Sequence, residues 1–223
     1  MFAKSLRNLT ISSGRTDSPA ACGGVILCGG RSRRMGQSKA WLQFGDETCL
    51  QRAVRMLTEC IGPIVVVAAP QQTLPQLPDD VRIVRDPREG DGPLAGLALG
   101  LETLADVVDR AYVTGCDIPL LQSAFVSAMI AALGDTDVAV PVDNEFLHPL
   151  AAVYRTHLAP LAWQLIANDE RRPRALIEQV TATCISTEDL RRVDPHLLSL
   201  ENMNTPDDYQ RLLALSQGTA AGS

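Results

Sequence analysis

The sequence has no long apolar run and no excess of positive charge. No apolar stretch approaches the roughly 20 residues that a membrane-spanning helix needs. The formal net charge is −6, and this negative balance argues against a general nucleic-acid-binding surface. We therefore expect a protein that has neither a membrane nor nucleic acid as a partner.

The chain also has no Cys-x-x-Cys pair, the spacing typical of zinc sites and redox motifs. Several of its six cysteines lie inside apolar runs. We expect buried free thiols in a reducing cytoplasm, in preference to disulfides or a zinc site. The cysteines are Cys22, Cys28, Cys49, Cys60, Cys116 and Cys184.

A Ser-His-Asp or Cys-His arrangement with supporting context is missing as well. His148 precedes Pro149 in an apolar context, which indicates a packed side chain and not a catalytic one. The sequence thus has no convincing nucleophile or general base, and its chemistry is expected to depend on alignment and charge.

The length and composition are those of one globular domain. The chain has 223 residues, of which 46% are hydrophobic, enough for an α/β domain with a full core. We expect a single domain over residues 22–216. Residues 1–21 have no continuous apolar segment, so we interpret them as a disordered extension and not as a signal peptide. Residues 217–223 are expected to form a flexible tail.

Apolar runs with strand character alternate with segments of helical spacing along most of the chain. The expected strands are residues 25–27, 64–69, 81–84, 110–114, 137–142 and 148–154. The expected helices are residues 48–61, 94–104, 122–133, 158–167, 175–179 and 206–215. This alternation predicts a doubly wound parallel sheet with right-handed crossovers. Such sheets bind ligands outside the carboxyl ends of their strands.

A glycine-punctuated basic loop directly follows the first expected strand. Gly29 and Gly30 end the strand, and glycine lets the backbone approach a ligand closely because it has no Cβ. The cations that follow are Arg31, Arg33, Arg34 and Lys39. Cations beside exposed N–H groups favour a polyphosphate, and the alternative is a surface loop with solvated arginines. The spacing fits neither Walker A nor Gly-x-Gly-x-x-Gly, which argues against a P-loop or a dinucleotide site.

Two further segments follow expected strands and should meet this loop at one edge of the sheet. Asp117 lies just past a strand, where one carboxylate together with phosphate oxygens can hold Mg²⁺. The alternative is a local turn before Pro119. Asp86 follows another expected strand, and it likewise could be either a ligand-binding carboxylate or part of a local turn. Gly92 opens a helix whose N-terminus either approaches a ligand or makes a tight packing turn.

Asn202 and Asn204 precede the last expected helix. Thr205 is expected to be its N-cap, with Pro206 at the first helical position. From spacing alone, a role of the two asparagines at the helix terminus is favoured over ligand binding.

Five segments together resemble the nucleotidyltransferases that activate sugars and cofactors. Segment 27–39 is similar to their signature loop, Leu-Ala-Gly-Gly-x-x-x-Arg-Met-Gly-x-x-Lys. Within this superfamily the chain most resembles the molybdenum cofactor guanylyltransferases. The other matching segments, in the same order as in that family, are 92–96, 116–119, 148–154 with Arg171 and Arg172, and 202–206.

The resemblance implies a Rossmann-like, mostly parallel sheet with helices on both faces, as in nucleotide-diphospho-sugar transferases. It implies transfer of GMP from GTP to molybdopterin that carries molybdenum. The substrates would be GTP and Mo-molybdopterin, the cofactor would be Mg²⁺, and proteins of molybdenum cofactor synthesis or acceptor proteins are the implied partners.

The resemblance also implies roles for individual residues. Lys39, Arg34 and Asp117 would be catalytic, with Asp117 as the Mg²⁺ ligand, and Asn202 and Asn204 would lie on the pterin side. The residues implied to bind the nucleotide are Leu27, Cys28, Gly29, Gly30, Lys39, Asp86, Gly92 and Asp117.

Two departures from the family pattern bear on the choice of base. Cys28 replaces the usual alanine, which is a small change. The second strand ends in Val67-Ala68-Ala69-Pro70, where some family members have an asparagine that contacts the nucleotide. The alternatives are a related transferase that uses CTP or a sugar-phosphate acceptor, and a non-catalytic nucleotide-binding homologue.

Overall fold

The computed structural model describes residues 21–29, 38–86 and 92–220. The strands in these ranges are β1 (Cys22–Leu27), β2 (Gln43–Phe44), β3 (Glu47–Thr48), β4 (Ile64–Ala68), β5 (Arg82–Arg85), β6 (Arg110–Gly115), β7 (Val138–Asp143), β8 (Phe146–Leu147), β9 (Ala151–Arg155) and β10 (Ala182–Ser186). The helices are α1 (Cys49–Thr58), α2 (Gly92–Leu104), α3 (Ser123–Leu133), α4 (Ala159–Ala167), α5 (Pro173–Ile177), α6 (Thr187–Leu190) and α7 (Pro206–Ala220).

The main sheet has the strand order β10-β7-β9-β6-β1-β4-β5, with β8 paired to β7. β1 is parallel to β4 and to β6, β4 is parallel to β5, and β10 is parallel to β7. β9 is antiparallel to both of its neighbours. The mostly parallel sheet is therefore confirmed, and the fully parallel arrangement expected from the alternation is wrong at β9.

Helices cover both faces of this sheet, as expected. Buried side chains of α1 and α3 share one apolar cluster with Ile26 and Val66. Buried side chains of α2, α4 and α5 share another with Val25 and Val65. Successive strand residues thus point into opposite clusters, as the period of two requires. In the described ranges, we find no helix with the length and apolar character to cross a membrane.

The first strand begins three residues earlier than the apolar pattern indicates, because Gly23 and Gly24 belong to it. A Cβ on Gly23 would lie 2.8 Å from Leu104 Cδ1, and one on Gly24 would lie 2.7 Å from Ile64 Cδ1. These glycines let neighbouring side chains pack directly on the strand. Glycine is unfavourable in strands on average, so local propensity conceals this close packing.

The expected strand over 148–154 is shorter and starts at Ala151. His148 N donates to Pro141 O and Ala151 N donates to His148 O, so the chain turns between these residues. Pro149 has no N–H for a ladder. Because the connection from β7 to β9 is a short hairpin, it returns the chain antiparallel, whereas a parallel return needs a longer crossover.

The chain termini differ from expectation at one end. The predicted disordered extension, residues 1–21, lies outside the described residues except for Ala21. Residues 217–223 are predicted to form a flexible tail, and that stays a prediction; the final helix, expected to end at residue 215, continues to Ala220 as α7. This segment has no proline, and one glycine costs a helix only about 1 kcal/mol, so propagation continues past the expected end.

Candidate active site

The carboxyl ends of four strands meet at one edge of the sheet. Cys28 N donates to Val67 O over 2.8 Å, which joins the ends of β1 and β4. Cys116 N donates to Leu27 O over 3.2 Å, which joins β6 to β1, and Asp86 N donates to Ala68 O over 2.9 Å. The expected convergence of the strand-end segments on one edge is confirmed for their described residues.

Three polar side chains converge at this edge. Lys39 Nζ lies 2.7 Å from Asp117 Oδ2 and 2.7 Å from Asn204 Oδ1. The Lys39 and Asp117 side chains are 19% and 22% exposed. An ammonium and a carboxylate that remain partly open to solvent are available to a ligand without unfolding of the core. The acceptor amide of Asn204 orients the ammonium from a second side.

Asp117 is held by its backbone and by the absence of a side chain at Gly115. Met203 N donates to Asp117 O over 2.9 Å. A Cβ built on Gly115 would collide with Asp117 Oδ1. The carboxylate therefore occupies space that only glycine leaves open at the end of β6.

Asn204 reaches Lys39 because of how α7 begins. Thr205 Oγ1 accepts from Asp208 N, and Asp208 Oδ2 accepts from Thr205 N, a reciprocal cap that confirms Thr205 as the N-cap. Met203 is fully buried in an apolar cluster that includes Phe44 of the β2–β3 hairpin. Because Met203 is anchored, the next residue is placed at the edge of the sheet.

A second contact ties α7 to the hairpin that follows Lys39. Tyr209 Oη donates to Gln43 O over 2.8 Å. Further back, buried Asp194 accepts from Leu198 N and Ser199 N, and Ser199 Oγ accepts from Gln122 N. These bonds join the segment before α7 to the start of α3, which directly follows the Asp117 loop.

The N-terminus of α2 packs closely against the segment before α5. Gly92 has φ +76°, and a Cβ there would lie 3.0 Å from Arg171 O. Leu94 N donates to the same carbonyl over 3.3 Å. Of the two interpretations offered for Gly92, the structure shows the packing turn, and ligand contact stays a prediction.

Other expected site residues are placed less completely. Gly30 and Arg34 lie outside the described residues, with most of the basic loop. Cys28 is buried, Leu27 is partly buried and Gly29 is exposed at the end of β1. Asp86 follows β5 at the same edge, and Asn202 is exposed on the approach to α7. The structure thus brings Asn204, and not Asn202, onto Lys39.

The cysteines are all free, as expected. Burial raises the pKa of the Cys49 thiol to about 12. A hydrogen bond with the Cys28 thiol, together with burial, raises the pKa of Cys116 well above its ordinary value. The thiols of Cys49 and Cys116 are thus neutral and inert near neutral pH. Cys184 is exposed, contrary to expectation, because β10 is an edge strand.

Sequence reasoning missed Gln72, which lies in the connection after β4. Its side-chain amide donates to Cys28 O over 3.0 Å and to Ser38 Oγ over 3.2 Å. A glutamine in a polar, proline-rich segment has no local signal for such a role. Only the fold brings it to the ends of the basic loop.

The donor set fits Mg²⁺ better than a metal held by protein ligands alone. Among the described residues there is no group of three or more histidine, cysteine or acidic side chains arranged to hold a metal. Mg²⁺ commonly uses one or two carboxylates together with water and substrate phosphates. The single, partly exposed carboxylate of Asp117 meets that requirement.

A family model of the MobA-like NTP transferase domain matches residues 24–184. A probable molybdenum cofactor guanylyltransferase from Mycobacterium avium (strain 104) is 39% identical over 202 residues, which cover 88% of this chain and 96% of that protein. A protein of the same description from Mycobacterium tuberculosis (strain ATCC 25618 / H37Rv) is 39% identical over 173 residues, which cover 75% and 85%.

Solved structures share the fold at lower identity. Molybdopterin-guanine dinucleotide biosynthesis protein A from Archaeoglobus fulgidus superposes with a TM-score of 0.73 at 20% identity, over 88% of this chain and 99% of that one. A 2-C-methyl-D-erythritol 4-phosphate cytidylyltransferase from Thermus thermophilus has a TM-score of 0.66 at 15% identity, over 88% and 99%. The family model covers most of the sheet and the edge that carries Lys39 and Asp117, and this chain belongs to the family of MobA-like NTP transferase domains.

Proposed function

We propose that this protein transfers GMP from GTP to molybdenum-carrying molybdopterin, with release of pyrophosphate. The product is molybdopterin guanine dinucleotide. The observation that carries the proposal is the junction of Lys39 with Asp117 and Asn204 at the carboxyl edge of the sheet. The curated mycobacterial relatives, which carry the name of this activity, support the choice of substrates.

The reaction needs alignment and charge neutralisation more than proton transfer. The terminal phosphate of the pterin is already anionic, so it attacks the α-phosphorus of GTP without a strong general base. A P–O bond to the acceptor forms as the bond to pyrophosphate breaks, and pyrophosphate carries away the negative charge. Lys39 supplies a fixed positive charge beside these phosphates, and such preorganised charge stabilises the transition state.

Asp117 is proposed to hold Mg²⁺. When bound, the ion supplies positive charge to the phosphate oxygens. In the described structure, the Asp117 carboxylate interacts with Lys39, which keeps it at the edge where a nucleotide phosphate is proposed to lie. Asn204 accepts a hydrogen bond from the Lys39 ammonium and so orients it. Asn204 is also one of the two asparagines that the family resemblance assigns to the pterin side.

The proposed assay measures pyrophosphate release with purified protein, Mg²⁺ and Mo-molybdopterin. GTP, CTP and ATP are compared at equal concentration, because the strand end Val67-Ala68-Ala69-Pro70 stands where some family members have a nucleotide-contacting asparagine. If GTP is the one nucleotide of the three that gives pyrophosphate release with the acceptor, the proposal is supported. If CTP is the one nucleotide that does so, the reaction is cytidylyl transfer. A protein that binds GTP but releases no pyrophosphate with any acceptor would be a binding homologue.

The free thiols fit a reducing compartment, and we propose the cytoplasm as the location.

A further inference from the structure

The connection after β4 forms a turn that holds both described ends of the basic loop. Gln72 N donates to Ala69 O over 3.2 Å, and Ala69 N donates to Gln72 Oε1 over 3.0 Å, so the turn closes on itself. Arg85 Nη1 donates to Ala69 O and to Gln72 O, each over 2.9 Å. The turn is therefore fixed to the ends of β4 and β5, independently of its contacts with the basic loop.

From this fixed turn the Gln72 amide group reaches two points that are separated by the loop. Its Nε2 donates to Cys28 O, at the end of β1, and to Ser38 Oγ, directly before Lys39. Both contacts come from one planar amide, so the distance between the two loop ends is set by the reach of that group. The side chain is partly buried, which limits competition from water.

The same turn also holds the residue two positions after Lys39. Trp41 Nε1 donates to Thr73 O over 3.0 Å. Lys39 opens a short 3₁₀ turn, Lys39–Trp41, whose preceding residue contacts Gln72 and whose last residue contacts Thr73. The backbone of Lys39 is thus fastened on both sides to the turn after β4.

We propose that Gln72 is a positioning residue for nucleotidyl transfer. It fixes the Cys28 carbonyl and the Lys39 backbone relative to each other, so that the loop ends and the Lys39 ammonium face one nucleotide. This proposal rests on the proposed function for its kinetic readout. Gln72 acts through Lys39 and Cys28, and it has no role in bond making.

Two substitutions separate the donor role of the amide from its bulk. Gln72→Glu retains an acceptor for Ala69 N but replaces the donating NH₂ with an oxygen that faces Cys28 O. Gln72→Met retains the length of the side chain and removes both hydrogen-bonding functions. Gln71→Met is the matched control, because Gln71 is the exposed neighbour in the same turn.

The kinetic measurement is steady-state pyrophosphate release with GTP, Mg²⁺ and Mo-molybdopterin. We expect both Gln72 variants to lower kcat/KM for GTP by about 10- to 100-fold, since small misplacement of a catalytic group has effects of this size. Gln71→Met is expected to stay within about twofold of wild type, which corresponds to about 0.4 kcal/mol. Gln72 variants that match Gln71→Met in kcat/KM would overturn the proposal, as would a fall in melting temperature with unchanged kcat/KM.

A second readout is independent of the reaction. In a Trp163→Phe background, Trp41 reports on the turn that carries Lys39. We expect Gln72→Met to shift Trp41 emission and to raise its quenching by iodide, with Gln71→Met unchanged. If the wild-type protein releases no pyrophosphate with GTP, the proposed function fails. Gln72 is then judged on Trp41 alone: changed emission and quenching support its role in fixing the turn that carries Lys39, and unchanged values reject that role.

Discussion

Lys39 Nζ lies 2.7 Å from Asp117 Oδ2, although the two residues are 78 positions apart in the sequence. One follows the loop after β1 and the other follows β6, and these strands are adjacent in the sheet. The ion pair is therefore a consequence of parallel pairing. Because each side chain is about one-fifth exposed, the pair contributes little to stability, about 1 kcal/mol or less.

Lys39→Met should separate catalysis from folding. We expect pyrophosphate release to fall by at least about 100-fold, because a fixed charge beside the transferring phosphate is lost. The free energy of unfolding in urea should change by about 1 kcal/mol or less. Arg174→Met is the control, since Arg174 of α5 forms an exposed pair with Glu178, the residue that directly follows this helix. Near-wild-type turnover by Lys39→Met would contradict the proposed role.

Asp117→Asn tests the proposed metal ligand. The amide keeps the size of the side chain but lacks the charge that attracts Mg²⁺. We expect a fall in kcat by orders of magnitude and a higher Mg²⁺ concentration for half-maximal rate. Titration of activity with Mg²⁺, after treatment with EDTA, provides the measurement. An unchanged Mg²⁺ dependence would assign the metal to other groups.

Gly115→Ala should damage the site more than the fold. The new Cβ would collide with Asp117 Oδ1, the end of a side chain that can rotate away. We expect the melting temperature to change little, while kcat falls by about tenfold or more because the carboxylate leaves Lys39. Gly62→Ala is the control, because nothing lies within 4 Å of a Cβ built there. Equal activities of the two variants would show that the carboxylate position is unimportant.

Glu47→Gln should make stability less dependent on pH. Hydrogen bonds from Arg55 are the main cause that lowers the pKa of Glu47 below its ordinary value near 4.5. A lowered pKa means that the stabilisation is complete above that ordinary value and is lost as the pH falls through the lower one. We expect the free energy of unfolding of wild type to be larger than that of Glu47→Gln by about 1 kcal/mol at pH 7.

Urea unfolding at about pH 7 and about pH 3 checks this expectation, since the carboxyl groups titrate between these values. The difference between wild type and Glu47→Gln should shrink at the acidic pH. A difference that is the same at both pH values would exclude the charge of Glu47 as its cause. Glu178→Gln, on an exposed pair, is the control.

Local signals in the sequence predict much of the architecture. Residue 48 begins the helix expected over 48–61, and the Thr48 hydroxyl accepts from Gln51 N as part of a capping box at the start of α1. Thr205 and Pro206 likewise mark the start of α7. Caps and periodicity depend on residues within one or two turns, so they are readable without the fold.

The sequence by itself determined the alternating strands and helices, the helix caps, the position of Asp117 just past a strand and that of Lys39 in the basic loop after the first strand. Only the tertiary structure decided that β9 runs antiparallel between β6 and β7 and that Gln72 holds the ends of the basic loop. It also decided that Asn204, 165 positions from Lys39, accepts a hydrogen bond from the Lys39 ammonium that contacts Asp117. The physical reason is range: periodicity and caps arise from neighbours along the chain, whereas these contacts exist only after strand pairing and core packing bring distant segments together.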